Sequence, residues 1–287
     1  MKKSETAIVV KNAREIKPFL RWAGGKNWLL KHINKYLPND FNNYFEPFLG
    51  GSALFTYLIN CNRLNNGIYI SDINKDLINT YSQIRDNVEE VIEHLEIYKN
   101  NKTFYYKIRA KSTNDLIETA AHFIFLNRTS FNGIYRENLS GEYNVPYGYK
   151  KYKTLFDFEN LRKFSKKLKG ATLRCCDFEE YLDKIKENDF VFLDPPYTVA
   201  HSNNGFIKYN QKLFSINDQQ RLAGFIKNIS DKGANFILTN ASHKNIRSIF
   251  NEFHYKKIER FSMIGGKEAE RKRVEELIFY NTLVKKQ

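Results

Sequence analysis

Phe190, Val191, Phe192 and Leu193 run into Asp194, Pro195, Pro196 and Tyr197. Four apolar residues in a row read as a strand buried on both faces. Pro195 and Pro196 stop it, because neither offers a backbone N–H to a neighbouring strand. The product is a rigid corner at the carboxyl end of a strand, where open α/β sheets bind ligands. Asp194 brings a hydrogen-bond acceptor there, the Pro195 carbonyl brings a second, and Tyr197 brings a flat stacking face. Two acceptors beside a ring suit an exocyclic amino group on an aromatic base. They hold it, stack it and make its nitrogen more nucleophilic.

Three other groups of residues carry chemistry. Glu46-Pro47-Phe48-Leu49-Gly50-Gly51-Ser52 has the composition of a strand-to-helix turn. Glycines there let backbone approach a ligand closely, and the following helix presents unpaired N–H groups. Ser52 stands where a three-glycine dinucleotide fingerprint would place another glycine. Asp72 closes the next apolar stretch, Gly67 to Ser71, at a place where an acid accepts hydrogen bonds from ribose hydroxyls. Nearer the start, Phe19-Leu20-Arg21-Trp22-Ala23-Gly24-Gly25-Lys26 has the make-up of a loop that closes over a cofactor carboxylate, or of a plain turn before a helix from Trp28. Asp177-Phe178 follows a strand and precedes a helix. Asp177 alone reads as an N-cap; beside Phe178 it is also placed to hold an adenine amino group against a ring.

Positioning these residues takes an alternation of strands and helices. Strands are expected at 44–48, 67–72, 172–177, 190–194 and 235–239. Asn217 is expected to cap a helix bearing Leu222, Phe225, Ile226 and Ile229, ended by Asp231-Lys232-Gly233. Tyr255–Met263 and Val274–Tyr280 read as an antiparallel hairpin across Gly265-Gly266 and the basic residues Lys267, Arg271, Lys272 and Arg273. From Asn79 the pattern turns helical, with Ile84, Val88, Val91, Ile92 and Leu95 in step and an apolar helix from Leu116 to Leu126. Residues 127–153 are rich in Asn, Arg, Gly and Tyr without periodicity, as in a binding loop or hairpin. Residues 1–16 read as a tail. The expectation is an α/β domain from 1–80 and 166–287, with a helical insertion at 81–165.

The chain has 287 residues, enough for a full core. Lys and Arg number 46 against 32 for Asp and Glu, a formal net charge of +14 that favours a polyanionic partner. Aromatic residues make up 15%, which offers stacking surface as well as core. Cys61, Cys175 and Cys176 show no zinc spacing, and adjacent cysteines do not readily pair. No apolar run approaches the ~20 residues of a membrane span. A cytoplasmic protein without a metal centre is expected.

Taken together and in this order, the Trp22 to Lys26 loop, the Glu46-Pro47-Phe48 turn, the strand-end Asp72 and the Asp194 to Tyr197 corner resemble the Dam-like, D12 class of S-adenosylmethionine-dependent DNA adenine-N6 methyltransferases. The resemblance runs from about Pro18 to Tyr280. It takes in Asn127 to Arg136 and Gly141 to Gly148, which look like the family's DNA-contacting hairpin, and the stretch from Gly265 to Leu277. It implies a Rossmann-like methyltransferase sheet flanked by helices, an antiparallel C-terminal hairpin and a target-recognition insertion. It implies S-adenosylmethionine as cofactor, with S-adenosylhomocysteine as product. Trp22, Ala23, Gly24, Lys26, Glu46, Pro47, Phe48, Gly50, Asp72, Asp177, Phe178 and Asp194 would line the cofactor site. Double-stranded DNA would meet Arg128, Asn132, Tyr135, Arg136, Asn144, Lys267, Arg271, Lys272 and Arg273.

Methyl transfer to adenine N6 would require the base to be flipped out of the duplex. Arg128 and Arg136 are candidates for guanine edges and Asn132 for an adenine edge. Tyr135 and Phe131 are candidates to fill the gap in the stack, with Phe131 rather the core residue of the two. The resemblance ranks GATC first among target sites, with type IIS restriction-modification sites next. It implies a monomer acting in the bacterial cytoplasm, with a restriction endonuclease as a possible functional partner. Rival readings are cytosine-N4 or RNA-adenine methylation and a non-catalytic DNA-binding protein of the same fold. Cytosine-C5 chemistry is disfavoured, since no cysteine follows a proline in a strand-end loop.

Overall fold

The computed structural model describes residues 15–22, 26, 29–138, 140–197, 214–261 and 273–282. Within them, seven strands form one sheet in the order β3-β2-β1-β4-β5-β7-β6. These are β1 (Tyr44–Glu46), β2 (Ile68–Asp72), β3 (Ala171–Cys175), β4 (Phe190–Leu193), β5 (Asn235–Ala241), β6 (Tyr255–Phe261) and β7 (Arg273–Tyr280). The first five run parallel, with Tyr44 opposite Ile68 on one side and Phe190 on the other. β7 enters antiparallel between β5 and β6, with Leu238 opposite Phe279. The sheet class and the C-terminal hairpin are as expected from sequence.

Side chains along a strand alternate between faces, and the core divides accordingly. Tyr44, Ile70, Phe190, Phe192, Ile237 and Ile278 share one buried cluster. Phe45, Val191, Leu193, Phe236, Leu238 and Phe279 share another. Both faces of β4 are therefore covered, and all four of its residues are buried. The second cluster is closed by α8 (Ile216–Asp231) through Leu222, Phe225, Ile226 and Ile229. Ser215, not Asn217, caps that helix: its hydroxyl accepts from Asp218 N while Asp218 reaches back to Ser215 N, a reciprocal box.

The first face carries α1 (Leu30–Ile33), α2 (Ala53–Asn60), α3 (Lys75–Asp86) and α7 (Phe158–Leu168), with α4 (Val88–Glu96), α5 (Lys102–Ala110) and α6 (Leu116–Thr129) beyond them. Asn74, Asn101, Asp115 and Asp157 cap α3, α5, α6 and α7 through side-chain oxygens. The periodic stretch from Ile84 to Leu95 is broken at Asn87, which ends α3 and begins α4. α3 runs through the expected boundary at 80/81. Tyr81, Ile84, Val91, Leu95, Tyr105, Phe125 and Phe164 belong to the same buried cluster as the sheet face, so the helical segment shares its core with the sheet. The expected N-terminal tail is anchored at its end: Ile16 is buried, and Asn60 bonds both its N and its O. A short sheet-like hairpin follows α6, with bridges Ser130 to Tyr147 and Glu137 to Tyr143.

Candidate active site

In the parallel part of the sheet the strand order reverses between β1 and β4. A crevice opens at the carboxyl ends of strands where order reverses. The turn after β1 and the corner after β4 flank it.

The turn is held from below. Gly50 N donates to Asp72 Oδ2 at 3.0 Å, and Asn74 N donates to Asp72 Oδ1 at 3.0 Å. Tyr81 donates its hydroxyl to Gly50 O at 3.1 Å. Gly50 has φ +45°, and a Cβ there would lie 2.8 Å from Trp22 Cδ1. Only glycine lets the Trp22 ring lie so close. Ser52 has φ 55°, so the position suited to another glycine does take the left-handed conformation, at about 1–2 kcal/mol for a serine. Asp72 is half-buried; desolvation pushes its carboxyl up, and the N–H groups of Asn74 and Gly50 oppose that. The next residue, Ile73, is 68% exposed. Its apolar side chain lies beside the strand-end acid, and it is not among the residues expected from sequence. The signal was available: an apolar residue directly after a strand-end acid.

Glu46 was expected to line the cofactor. It is 2% exposed and accepts from Tyr44 Oη at 2.7 Å. Its carboxyl is pushed up to about 8, by burial first; the Tyr44 hydroxyl opposes that, and the negative charges of Asp194 and Asp72 add to it. Glu46 therefore lies beneath the crevice, electrostatically between its two acids. Pro47 is buried beside it.

At the corner, Thr239 of β5 donates to Asp194 Oδ1 at 2.5 Å, and Lys26 Nζ lies 2.8 Å from the same oxygen. Burial pushes the Asp194 carboxyl up; Lys26 and Thr239 pull it back. Lys26 Nζ also sits 4.7 Å from the centroid of the Tyr197 ring. Lys26, expected from sequence to line a cofactor, thus faces the corner of Asp194 and Tyr197. Tyr197 donates to Glu276 Oε2 at 2.6 Å. Its hydroxyl is raised well above its ordinary range, by burial first and by the Glu276 charge second. Thr239 and Glu276 were not found from sequence.

Asp177 caps the turn Phe178–Tyr181, and its Oδ1 accepts from both Glu179 N at 3.0 Å and Arg221 Nη2 at 2.8 Å. The N-cap role of Asp177 is thus present. Phe178 is buried, with Phe48 at 5.6 Å and Phe214 at 6.1 Å between ring centroids.

The hairpin region is tied to the loop at Arg21 and Trp22. Asn127 accepts from Arg21 N at 2.8 Å and donates to Arg21 O at 2.7 Å. Trp22 stacks on Tyr135 at 5.6 Å and on Phe123 at 6.3 Å. Tyr135 is thus half-buried in packing, whereas Phe131 is 50% exposed, the reverse of the expectation for the two. The stack on Trp22 is what holds Tyr135. Asn132 is exposed with φ 56°. Arg136 is exposed, and its Nε donates to Asn144 Oδ1 at 2.7 Å. Arg128 is half-buried, donating to Leu155 O at 2.9 Å with its guanidinium 4.4 Å from the Tyr152 ring centroid. Ala23, Gly24, Gly265, Gly266, Lys267, Arg271 and Lys272 lie outside the described residues, and of Arg273 only the backbone is described.

A mixed seven-stranded sheet of this order, with Asp194 and Tyr197 at one crevice wall and a glycine turn over Asp72 at the other, has the architecture of a Rossmann-like methyltransferase. The chain belongs to the D12 class N6 adenine-specific DNA methyltransferases, whose family model matches residues 22–264. It is 37% identical to the type II methyltransferase M.MjaIII of Methanocaldococcus jannaschii, over 90% of this chain and 96% of that one. It is 34% identical to the type II methyltransferase M1.LlaDCHI of Lactococcus lactis, covering 96% and 98%. It is likewise 34% identical to a DNA adenine methylase of Haemophilus influenzae, covering 91% and 92%. Among the described residues no helix is long and apolar enough to cross a membrane.

Proposed function

We propose that the chain transfers the methyl group of S-adenosylmethionine to N6 of an adenine flipped out of double-stranded DNA, at GATC or at a type IIS restriction-modification site. The observation that carries this reading is the corner at the end of β4, facing a glycine turn over Asp72 across one strand boundary. The turn fits the cofactor: Asp72 accepts from the ribose, Ile73 and the Phe48–Phe178 rings flank the adenine, and Gly50 lets Trp22 close over the turn. When bound, the cofactor supplies a sulfonium methyl, an electrophile that needs no metal.

Tyr197 stacks on the flipped base. Asp194 Oδ and the Pro195 carbonyl accept hydrogen bonds from the two N6–H groups, Pro196 keeps the corner stiff, and the one N6 proton that becomes surplus once the methyl has arrived would pass to Asp194 and on to water. Held this way the N6 lone pair is drawn out of the ring and aimed for in-line attack, so positioning supplies much of the acceleration. The Lys26 ammonium occupies the space beside Asp194 and above Tyr197 that the amino group needs. It withdraws as the base enters. Phe131, with its exposed ring, fills the gap in the stack, while Tyr135 backs Trp22. Arg136 and Asn132 read base edges, and Arg128 is steadied by Tyr152 near the backbone. The protein acts as a monomer in the cytoplasm, and the type II names of two relatives support pairing with a restriction endonuclease.

The test is methyl transfer from labelled S-adenosylmethionine, with mapping of the modified base. Label on adenine N6 is expected. Label on cytosine, or none on any duplex, would overturn the reading.

A further inference from the structure

The polar contacts of the catalytic corner reach across the sheet to its antiparallel edge. Glu276 lies on β7, opposite Ala241 of β5 and Ile258 of β6. It is 2% exposed, between Glu275 and the fully buried Leu277. An acid so placed is costly unless hydrogen-bonded, and one of its partners is the Tyr197 hydroxyl, at 2.6 Å. Thr239, on the neighbouring strand, holds Asp194. The two side chains that would touch the target base are thus each fastened by the half of the sheet remote from the cofactor turn.

A tyrosine ring has two soft torsions between backbone and hydroxyl. Holding the hydroxyl oxygen at Glu276 fixes the first torsion, and because a phenol O–H prefers to lie in the plane of its ring, the direction of the Glu276 acceptor biases the second, the plane of the ring. We propose that Glu276 is a positioning residue for methyl transfer: it sets the plane of Tyr197 so that a stacked base presents its amino group to Asp194 and to the Pro195 carbonyl. This rests on Tyr197 being the platform for the target base. The amino nitrogen has to lie in line with the methyl, and a misplacement of about 1 Å costs on the order of a hundredfold in rate. The orientation of the ring, rather than its presence, is what Glu276 supplies.

The experiment is a double-mutant cycle of Glu276→Leu and Tyr197→Phe, with Glu276→Gln alongside, read in single-turnover methyl transfer to the mapped target duplex. Glu276→Leu should slow the step by about tenfold or more, with KM for S-adenosylmethionine changed by no more than about twofold. Tyr197→Phe should slow it similarly, and the double variant should be no slower than the slower single one. Glu276→Gln keeps an acceptor and should stay within about threefold of wild type. The fluorescence of 2-aminopurine at the target position should change in Glu276→Leu and return to the wild-type signal in Glu276→Gln. Losses that multiply in the double variant would overturn the proposal, as would Tyr197→Phe at the wild-type rate. If Glu276→Leu does not fold, the Tyr197→Phe and Glu276→Gln rates decide the matter by the same limits. A wild-type chain that methylates no adenine overturns the functional reading itself. An active wild type with a multiplicative cycle overturns only the role of Glu276.

Discussion

Asp194 accepts from Thr239 and Lys26, and Tyr197 donates to Glu276. In the hairpin region backbone hydrogen bonds carry much of the fastening. Phe131 N donates to Pro146 O, Gly148 N to Thr129 O and Asn144 N to Arg136 O, while the side chains of Phe131, Asn132 and Arg136 are exposed. At the corner the side chains that matter are held within the protein; the hairpin region fixes its main chain and leaves Phe131, Asn132 and Arg136 facing outward. Chemistry at a fixed nitrogen tolerates little displacement. Reading a duplex needs groups whose hydrogen bonds are completed by the partner. Substitutions in the two regions should therefore fail differently, the first in rate and the second in choice of DNA.

The largest effect is expected at the corner. Asp194→Ala should lower methyl transfer by about a thousandfold or more, roughly 4 kcal/mol of transition-state stabilisation. Binding to the target duplex should stay near that of the wild type. Turnover within about tenfold, a loss of only ~1.4 kcal/mol, would remove Asp194 from the chemistry and erase the contrast between the regions.

The corner's foundation should show in pH. Glu46 is raised from 4.5 to about 8 in the folded chain. Below 4.5 the side chain is protonated in both states and contributes no slope. Between there and about 8 the unfolded chain ionises while the folded one keeps its proton, so stability falls as pH rises. The loss is at most about 1.4 kcal/mol for each pH unit crossed inside that window. Glu46→Gln stays neutral and keeps an acceptor for Tyr44. Its melting temperature should therefore overtake that of the wild type progressively through this window. Parallel curves for the two proteins would show that Glu46 ionises freely and is no part of a buried base to the crevice.

How much of this was legible in the sequence follows from how local each feature is. The β4 corner is written in consecutive residues, because burial on both faces and the proline stop fall on neighbours in the chain. Glu276 and Thr239 meet the corner from 79 and 45 residues away. Their places depend on the register between β5 and β7, which an apolar strand pattern does not specify side chain by side chain. Phe131 and Tyr135 sit in an aperiodic loop, and only the stack on Trp22 tells which is packed. Ser215 was legible: Ser-Ile-Asn-Asp has the spacing of a capping box, and the nearer Asn217 drew the assignment away.

Substitution in the turn over Asp72 should fall between the two regions in effect. Asp72→Ala should weaken S-adenosylmethionine binding by about 10- to 100-fold, as expected for loss of a charged acceptor. It also leaves Gly50 N and Asn74 N without their partner. DNA affinity should change by less than about threefold, because no hairpin contact is touched. Calorimetric titration of both ligands checks this. Unchanged cofactor affinity would make Asp72 a support for the turn alone.

The smallest and most selective effect is expected from the hairpin. Arg136→Ala should leave the rate on the preferred site, once that site is saturated, close to wild type. It should weaken discrimination at one base pair by roughly 1–3 kcal/mol. Competition binding against single-base variants of the mapped site, at two salt concentrations, is the measurement. A phosphate contact would instead weaken every duplex alike and make the salt dependence shallower. Asn144 sharpens the distinction. Its side-chain oxygen accepts from Arg136 Nε at 2.7 Å and its backbone N–H donates to Arg136 O, so it aims the guanidinium as well as lying beside it. If Arg136 reads a base edge, Asn144→Ala should relax the same position by a smaller amount, since the guanidinium remains but is no longer aimed. If Arg136 meets a phosphate, a looser guanidinium still finds it, and Asn144→Ala should leave discrimination unchanged.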